Sequence, residues 1–336
     1  MTTGSDDLHV TPSILYREGR VTFEDIWTAD RAMRNCIERA RLVAPYDIAV
    51  LILGETGTGK NLLAQAIHNA SPRRTQPFVP VDVGAMPGTL VEDALFGHEK
   101  WAFTGAMEAR QGFFELAHRG TLFLDEIGNL SAESQEKILT AVESKRIWRL
   151  GSERATDCDV RVISATNSDL KSAIEAGSFR RDLYHRIARL EFRIPPLRER
   201  VEDVELLATR FRERASIEFG RNVKRIARDC LARMLDYPWP GNVRELRAKV
   251  DAAMVVCAGD ELQASDVFPE LADEASHVTQ PGMELALETM ERRHILNVLK
   301  TTGWNITRAA ELLHIARPTL YEKIRKYGIE HPTQVP

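Results

Sequence analysis

The sequence predicts an α/β fold: a parallel sheet wrapped by helices, then a helical segment, then a small all-α unit at the C-terminus. Three observations predict it. From residue 22 to residue 196, short apolar runs alternate with stretches of helical periodicity, the pattern of right-handed βαβ units. One run, Ile48-Ala49-Val50-Leu51-Ile52-Leu53, enters the glycine-rich turn Gly54-Glu55-Thr56-Gly57-Thr58-Gly59-Lys60 and then Asn61-Leu62-Leu63-Ala64-Gln65-Ala66-Ile67-His68, whose apolar residues recur at helical spacing. Beyond Pro195-Pro196 only helical patterns remain.

The chain has 336 residues, 43% hydrophobic and 28% charged, which fits a globular protein of more than one domain. Net charge is −4, so any nucleic-acid contact requires a local basic patch. Cys36, Cys158, Cys230 and Cys257 are far apart and form no CxxC pair, which suits a reducing cytosol and argues against a zinc site or disulfide framework. No apolar run reaches membrane-spanning length and the first residues are polar, so a cytoplasmic protein without signal peptide or membrane partner is expected.

Residues 1–21 read as a short polar tail. Phe23, Ile26, Met33, Ile37, Ala40 and Val43 predict a helix before the first strand. The turn that follows has the GxxxxGK spacing of a P-loop. Glycines let backbone N–H groups turn toward an anion, and the helix N-terminus adds partial positive charge. Lys60 then reaches the terminal phosphates of a nucleotide. Asn61 stands where the general pattern has a magnesium-binding hydroxyl, so another residue must hold most of the metal.

A second strand is predicted over 77–83 and a helix near 89–95. Residues 96–106 carry three aromatics with little periodicity and charged flanks. Composition favours a loop whose aromatics tuck into the core over an exposed tip that touches a partner. Gly120-Thr121-Leu122-Phe123-Leu124-Asp125-Glu126 predicts a third strand with two carboxylates at its C-terminal end, where ligands bind in open α/β sheets. Asp125 can hold magnesium and Glu126 can polarise a water; beside a P-loop, a plain turn or cap is the lesser reading. Residues 159–167 predict a fourth strand, ending in Asn167, placed to position water or a γ-phosphate. Residues 189–194 predict a fifth. The arginine-rich stretch 178–186 would ordinarily be a solvated helix face.

Within 197–268, helices are predicted over 204–219 and 226–235. Residues 237–246 read as a turn feeding a helix that starts near Arg244, with Asn242 as its cap. Residues 269–284 have linker composition. In 285–336, one helix has a stripe of Leu287, Met290, His294, Ile295 and Val298. A short helix over 305–314 and a tight turn precede a third helix, opened by Pro318. There Leu320, Ile324 and Tyr327 face inward, leaving Thr319, Glu322, Lys323 and Lys326 outward. From 301 to 327, five basic residues oppose two acids. This is a helix-turn-helix pattern; the charge and the preceding linker favour DNA over protein docking.

As a set, these stretches resemble the sigma-54-dependent transcriptional activators, bacterial enhancer-binding proteins of the AAA+ class. The resemblance runs from about 22 to 329, through motifs at 54–60, 94–106, 120–128, 165–167, 179–186, 194–200, 239–246 and 305–329. It implies an AAA+ ATPase subdomain over 22–196, a helical lid over 197–268 and a Fis-type helix-turn-helix domain over 285–336. It also implies that the loop from Gly54 to Lys60, with Asn61, binds ATP, that Asp125 holds Mg2+ and that Glu126 activates water. Asn167 and Arg244 would be the two sensors, and Arg180 and Arg186 arginine fingers acting on a neighbouring subunit. Phe103, Thr104 and Gly105 would contact sigma-54. Arg317, Thr319, Glu322, Lys323 and Lys326 would meet upstream DNA. The expected partners are therefore DNA, sigma-54 RNA polymerase and further copies of the chain, a hexamer when active and a dimer when inactive. No receiver or ligand-binding domain is seen before the ATPase part, so control by a partner in trans or by expression level is expected.

The sequence departs from the family pattern at three positions, one of them Asn61, where the family usually has an acid. Trp101 replaces the first glycine of the family's GAFTGA loop, and Asp82 stands where an asparagine is usual, as a like charge near the catalytic carboxylates. These two residues favour a second reading, a nucleotide-regulated DNA-binding regulator that does not remodel sigma-54. The intact Phe103-Thr104 favours the first.

Overall fold

A computed structural model describes residues 21–269, 287–313 and 315–329. Nearly all of the expected tail and linker lie outside these residues. The chain divides into two compact units, Met1–Phe268 and Pro269–Pro336.

In the first unit the elements run α1 (Arg31–Val43), β1 (Val50–Leu53), α2 (Lys60–Asn69), β2 (Phe78–Asp82), α3 (Gly88–Phe96), β3 (Gly97–His98), β4 (Arg110–Gln111), α4 (Phe113–Leu116) and β5 (Thr121–Asp125). They continue with α5 (Ala132–Ser144), β6 (Arg146–Trp148), β7 (Ala155–Asp157), β8 (Arg161–Thr166), α6 (Leu170–Glu175), α7 (Arg181–Ile187) and β9 (Leu190–Arg193). The lid follows as α8 (Glu202–Glu218), β10 (Arg225–Ile226), α9 (Arg228–Asp236), α10 (Asn242–Val256), β11 (Glu261–Leu262) and α11 (Ala264–Val267).

Five strands make one parallel sheet in the order β2-β5-β8-β1-β9. Alternation along β1 shows why it is buried on both faces. Val50 and Ile52 join a cluster with Met33, Ile37 and Ala40 of α1 and Leu63, Ala64 and Ile67 of α2. Leu51 joins the opposite cluster, with Leu95 and Phe96 of α3, Ile138 and Ala141 of α5, and Leu183 and Ile187 of α7. A sheet covered by helices on both faces needs such continuous apolar strands.

Helix α1 starts at Arg31, where Asp30 caps it by accepting from the Met33 N–H at 2.7 Å. The residues before it make one 3-10 turn, Phe23–Asp25, in place of a continuous helix. Two local readings are corrected in the lid. Its connections pair as a short parallel bridge, Arg225 with Glu261 and Ile226 with Leu262, so the segment is not purely helical. Asn242 is not the cap of α10: Gly241 is, and the helix begins at Asn242 itself.

The second unit contains α12 (Leu287–Thr301), α13 (Ile306–Leu312) and α14 (Arg317–Lys326). Asn305 caps α13, accepting from the Arg308 N–H at 3.2 Å. Ile295, Leu299, Ala309, Ala310, Leu320 and Ile329 form its core, with Ile324 and Tyr327 packed against them.

Candidate functional site: the nucleotide cleft and its two attachments

The loop after β1 bends through Gly57 at φ 82° and Gly59 at φ 106°, left-handed conformations that glycine adopts without penalty. Lys60 opens α2 and is buried. Its Nζ donates to the Gly54 carbonyl at 2.9 Å and to Glu126 Oε1 at 3.3 Å. Asp125 ends β5, Asn167 follows β8 and Asp82 ends β2, so the parallel sheet delivers all three to the same edge. Glu126 is itself held at φ 55°, ψ 45°. Its second oxygen accepts from the Asn167 N–H at 3.2 Å, and the Asn167 amide donates to Thr56 Oγ1 at 3.1 Å.

These residues line a cleft of about 1170 Å³, which Asn61, Asp82 and Arg244 also reach. Burial pushes the Asp125 carboxyl above its ordinary value; Lys60 opposes that, and Glu126 and Asp82 add to it. Asp82 thus acts on Asp125, and its Oδ1 also accepts from the Ala85 N–H at 3.2 Å. A nucleotide's phosphate chain fits this setting. The buried lysine lies at a helix N-terminus, and a Cβ added at Gly59 would meet only open space. A carboxylate that resists ionisation when bare suits a divalent cation, which would hold it ionised.

Sequence reasoning missed three further features of the cleft. Arg200, 3% exposed, donates to the Thr58 carbonyl at 3.1 Å and pairs with the fully buried Asp203 at 3.4 Å. Asp203 also accepts from the Thr28 hydroxyl and from the Asp30 N–H, so the segment before α1 is tied to the lid. At the loop's outer side Arg198 grips Glu55 through two bonds of 2.8 and 2.6 Å. Arg198 and then Asn242 hold the Glu55 carboxyl down at about 2. The stretch at 194–200 was the available signal, but nothing in its spacing indicates these partners.

Arg180 and Arg186 are not brought to this cleft. Arg180 precedes α7 and its guanidinium meets Asp182 at 2.8 Å, while Arg186 donates to the Val142 carbonyl at 3.3 Å. The aromatic loop between β3 and β4 overturns the expectation from composition. Only Phe96 tucks in, stacked on Phe114; Trp101 is 70% exposed and Phe103 46% exposed. The tip is closed by the Trp101 N–H donating to the Ala106 carbonyl at 2.7 Å, with Thr104 and Gly105 exposed between them. His98, held by Asp93 and the Glu108 carbonyl, supports Phe103 edge-on at 5.0 Å.

Residues 26–193 match the sigma-54 interaction domain, 198–283 the AAA+ ATPase lid domain and 286–327 the Fis family of bacterial regulatory proteins. The chain is 41% identical over 310 residues to the response regulator protein PilR of Pseudomonas aeruginosa, covering 89% of this chain and 68% of PilR. It belongs to the sigma-54-dependent transcriptional activators. The transcriptional regulatory protein GlrR of Escherichia coli is 39% identical, covering 91% of the activator and 69% of GlrR. The crystal structure of NtrX from Brucella abortus in complex with ATP superimposes with a TM-score of 0.69 at 32% identity, over 91% of the activator and 69% of NtrX. The activator is accordingly an ATP-binding AAA+ ATPase that acts with sigma-54 and binds DNA through its Fis-type unit. No helix among its described residues is long and apolar enough to cross a membrane.

In that DNA-binding unit, Arg317, Glu322 and Lys326 of α14 are exposed, and Thr319 is half-buried. Lys323 differs from the expected free outward face: it pairs with Glu291 of α12, which also receives the Tyr327 hydroxyl.

Proposed function

We propose that this activator hydrolyses ATP in a ring of its own copies, a hexamer, and uses the cycle to remodel the closed complex of sigma-54 RNA polymerase at a promoter. Lys60 and the loop Gly54 to Gly59, with Asn61, hold the phosphates. Asp125 holds Mg2+, whose charge neutralises phosphate oxygens. Glu126 orients and deprotonates the attacking water, while Asn167 and Arg244 report the nucleotide's state. Arg180 and Arg186 serve the neighbouring subunit's site, a role in keeping with their absence from the cleft of their own. Such fingers contribute roughly 10³–10⁵ in rate, so an isolated subunit turns over slowly. Phe103, Thr104 and Gly105 engage sigma-54. Arg317, Thr319, Glu322 and Lys326 face upstream DNA, and Lys323 joins them only on leaving Glu291, with half-sites roughly 34–36 Å apart for a resting dimer.

The observation that carries this reading is the convergence of Lys60, Asp125, Glu126 and Asn167 on one sheet edge, with Glu126 held between Lys60 and Asn167. Glu126→Gln tests it. The amide preserves the shape of the site but cannot accept the proton. Binding of a fluorescent ATP analogue should persist while steady-state turnover falls by about 10²-fold or more. Turnover near wild type in that variant would rule the assignment out.

A further inference from the structure

Asn242 has properties that neither the P-loop motif nor lid packing explains. It is fully buried, yet it has φ of 54°, a conformation in which asparagine is one of the few tolerated side chains. Both its amide nitrogen and its amide oxygen are engaged. Oδ1 accepts from the Leu197 N–H at 2.8 Å, and Nδ2 donates to the Thr56 carbonyl at 3.0 Å and to Glu55 Oε2 at 3.2 Å. The partners fix the orientation, since Leu197 N–H needs an acceptor and the Thr56 carbonyl needs a donor. Two residues on, the Arg244 N–H donates to the Gly57 carbonyl at 3.2 Å. A Cβ at Gly57 would lie 2.2 Å from the Gly241 carbonyl oxygen, so the start of α10 sits directly on the phosphate loop.

We propose that Asn242 is a positioning residue for ATP turnover: its amide clips the lid to Glu55 and Thr56, so that the phosphate loop keeps its binding shape only while the lid is docked. This rests on the ATPase reading. The clip also reaches the proposed sensing residues, because the Thr56 hydroxyl receives the Asn167 amide and Asn167 touches Glu126. Displacement of the lid therefore reaches the water-activating carboxylate through Thr56.

The test is ATP kinetics on the full chain across pH for Asn242→Gly and Asn242→Asp, each referred to wild type at the same pH. Glycine tolerates the backbone conformation but has no amide, so KM for ATP should rise about tenfold while thermal unfolding stays cooperative. Aspartate has the same shape, but its ionised form sets a carboxylate against the Thr56 carbonyl and the Glu55 carboxylate. Both raise its pKa, and the Arg198 and Arg244 guanidinium groups near the loop oppose them. The protonated form regains the donor to Thr56 and the acceptor for Leu197. The KM defect of Asn242→Asp should therefore exceed that of Asn242→Gly at about pH 8 and shrink toward wild type near about pH 5.5. A residue that merely fills space would give no such recovery. A ratio to wild type that is flat with pH, or an unchanged KM in Asn242→Gly, overturns the proposal. If Asn242→Asp does not fold, the KM of Asn242→Gly decides alone. Loss of the ATPase reading would be seen separately, as turnover that survives Glu126→Gln.

Discussion

Glu126 occupies the left-handed region although it is neither glycine nor asparagine, and it follows a strand whose last residue, Asp125, is itself pushed toward protonation. Strain of this kind costs on the order of 1–3 kcal/mol and persists only where the surroundings over-determine it. Here Lys60 and the Asn167 N–H supply the constraint. His68, at the far end of α2, carries a different cost. Its ring is buried against Phe78 and bonded to Thr121 Oγ1 at 2.9 Å, and burial, with Arg161 nearby, pulls its pKa down to about 4. The unfolded chain protonates this ring near its ordinary value of 6.5. The stability it contributes is thus complete above that value and declines as pH falls toward 4, by on the order of 3 kcal/mol at most. Urea titrations at about pH 7 and about pH 5 should show wild type losing more stability than His68→Gln, which keeps a partner for Thr121. Equal losses would contradict the buried neutral histidine. Lys60, Asp125 and Asn167 were legible because each sits at a motif position beside a readable strand. Asn242, Arg200 and Asp203 were not, because the bonds that tie them to Thr56, Thr58 and Thr28 reach far along the sequence and no spacing encodes them.

The elements divide in the same way. The sheet strands could be read because β1 is an unbroken apolar run and β5 and β8 are built around Leu122-Phe123-Leu124 and Val162-Ile163, as burial on both faces requires. The β6–β7 hairpin and the β10–β11 bridge were not, since two or three residues carry no period. The aromatic loop was misread from composition because hydrophobicity alone cannot distinguish Phe96, which stacks inside, from Trp101 and Phe103, which do not. Trp101 holds φ of 71° at a position where the family carries glycine, with Lys100 Nζ 5.1 Å from its ring. Left-handed geometry costs a side chain roughly 1–2 kcal/mol, against roughly 0.5–1 kcal/mol for an exposed cation–π contact. Trp101→Gly should therefore unfold no earlier than wild type, gaining up to about 1 kcal/mol, and should leave ATP turnover intact because the loop lies outside the cleft. A clear drop in melting temperature would show that the ring is anchored by contacts it does not make here.

At the scale of the molecule, the order of parts was legible: phosphate loop and sheet, lid, then the basic three-helix unit, which match three family descriptions in turn. Under the proposed function, what the parts accomplish together depends on transmitting the state of Glu126 to an exposed tip. The tip is inserted between α3 and α4, and α3 and α4 pack beside β2 and β5, whose C-terminal ends carry Asp82 and Asp125. Small movements of that edge can therefore reach Phe103 and Thr104. The most direct measurement is open-complex formation on a sigma-54 promoter with purified sigma-54 RNA polymerase, with and without ATP, alongside ATP turnover of the same preparations. Wild type should open the promoter only with ATP, and Thr104→Ala should hydrolyse ATP yet open nothing. Wild type that opens no promoter with ATP, or Thr104→Ala at wild-type levels in both assays, would contradict the account.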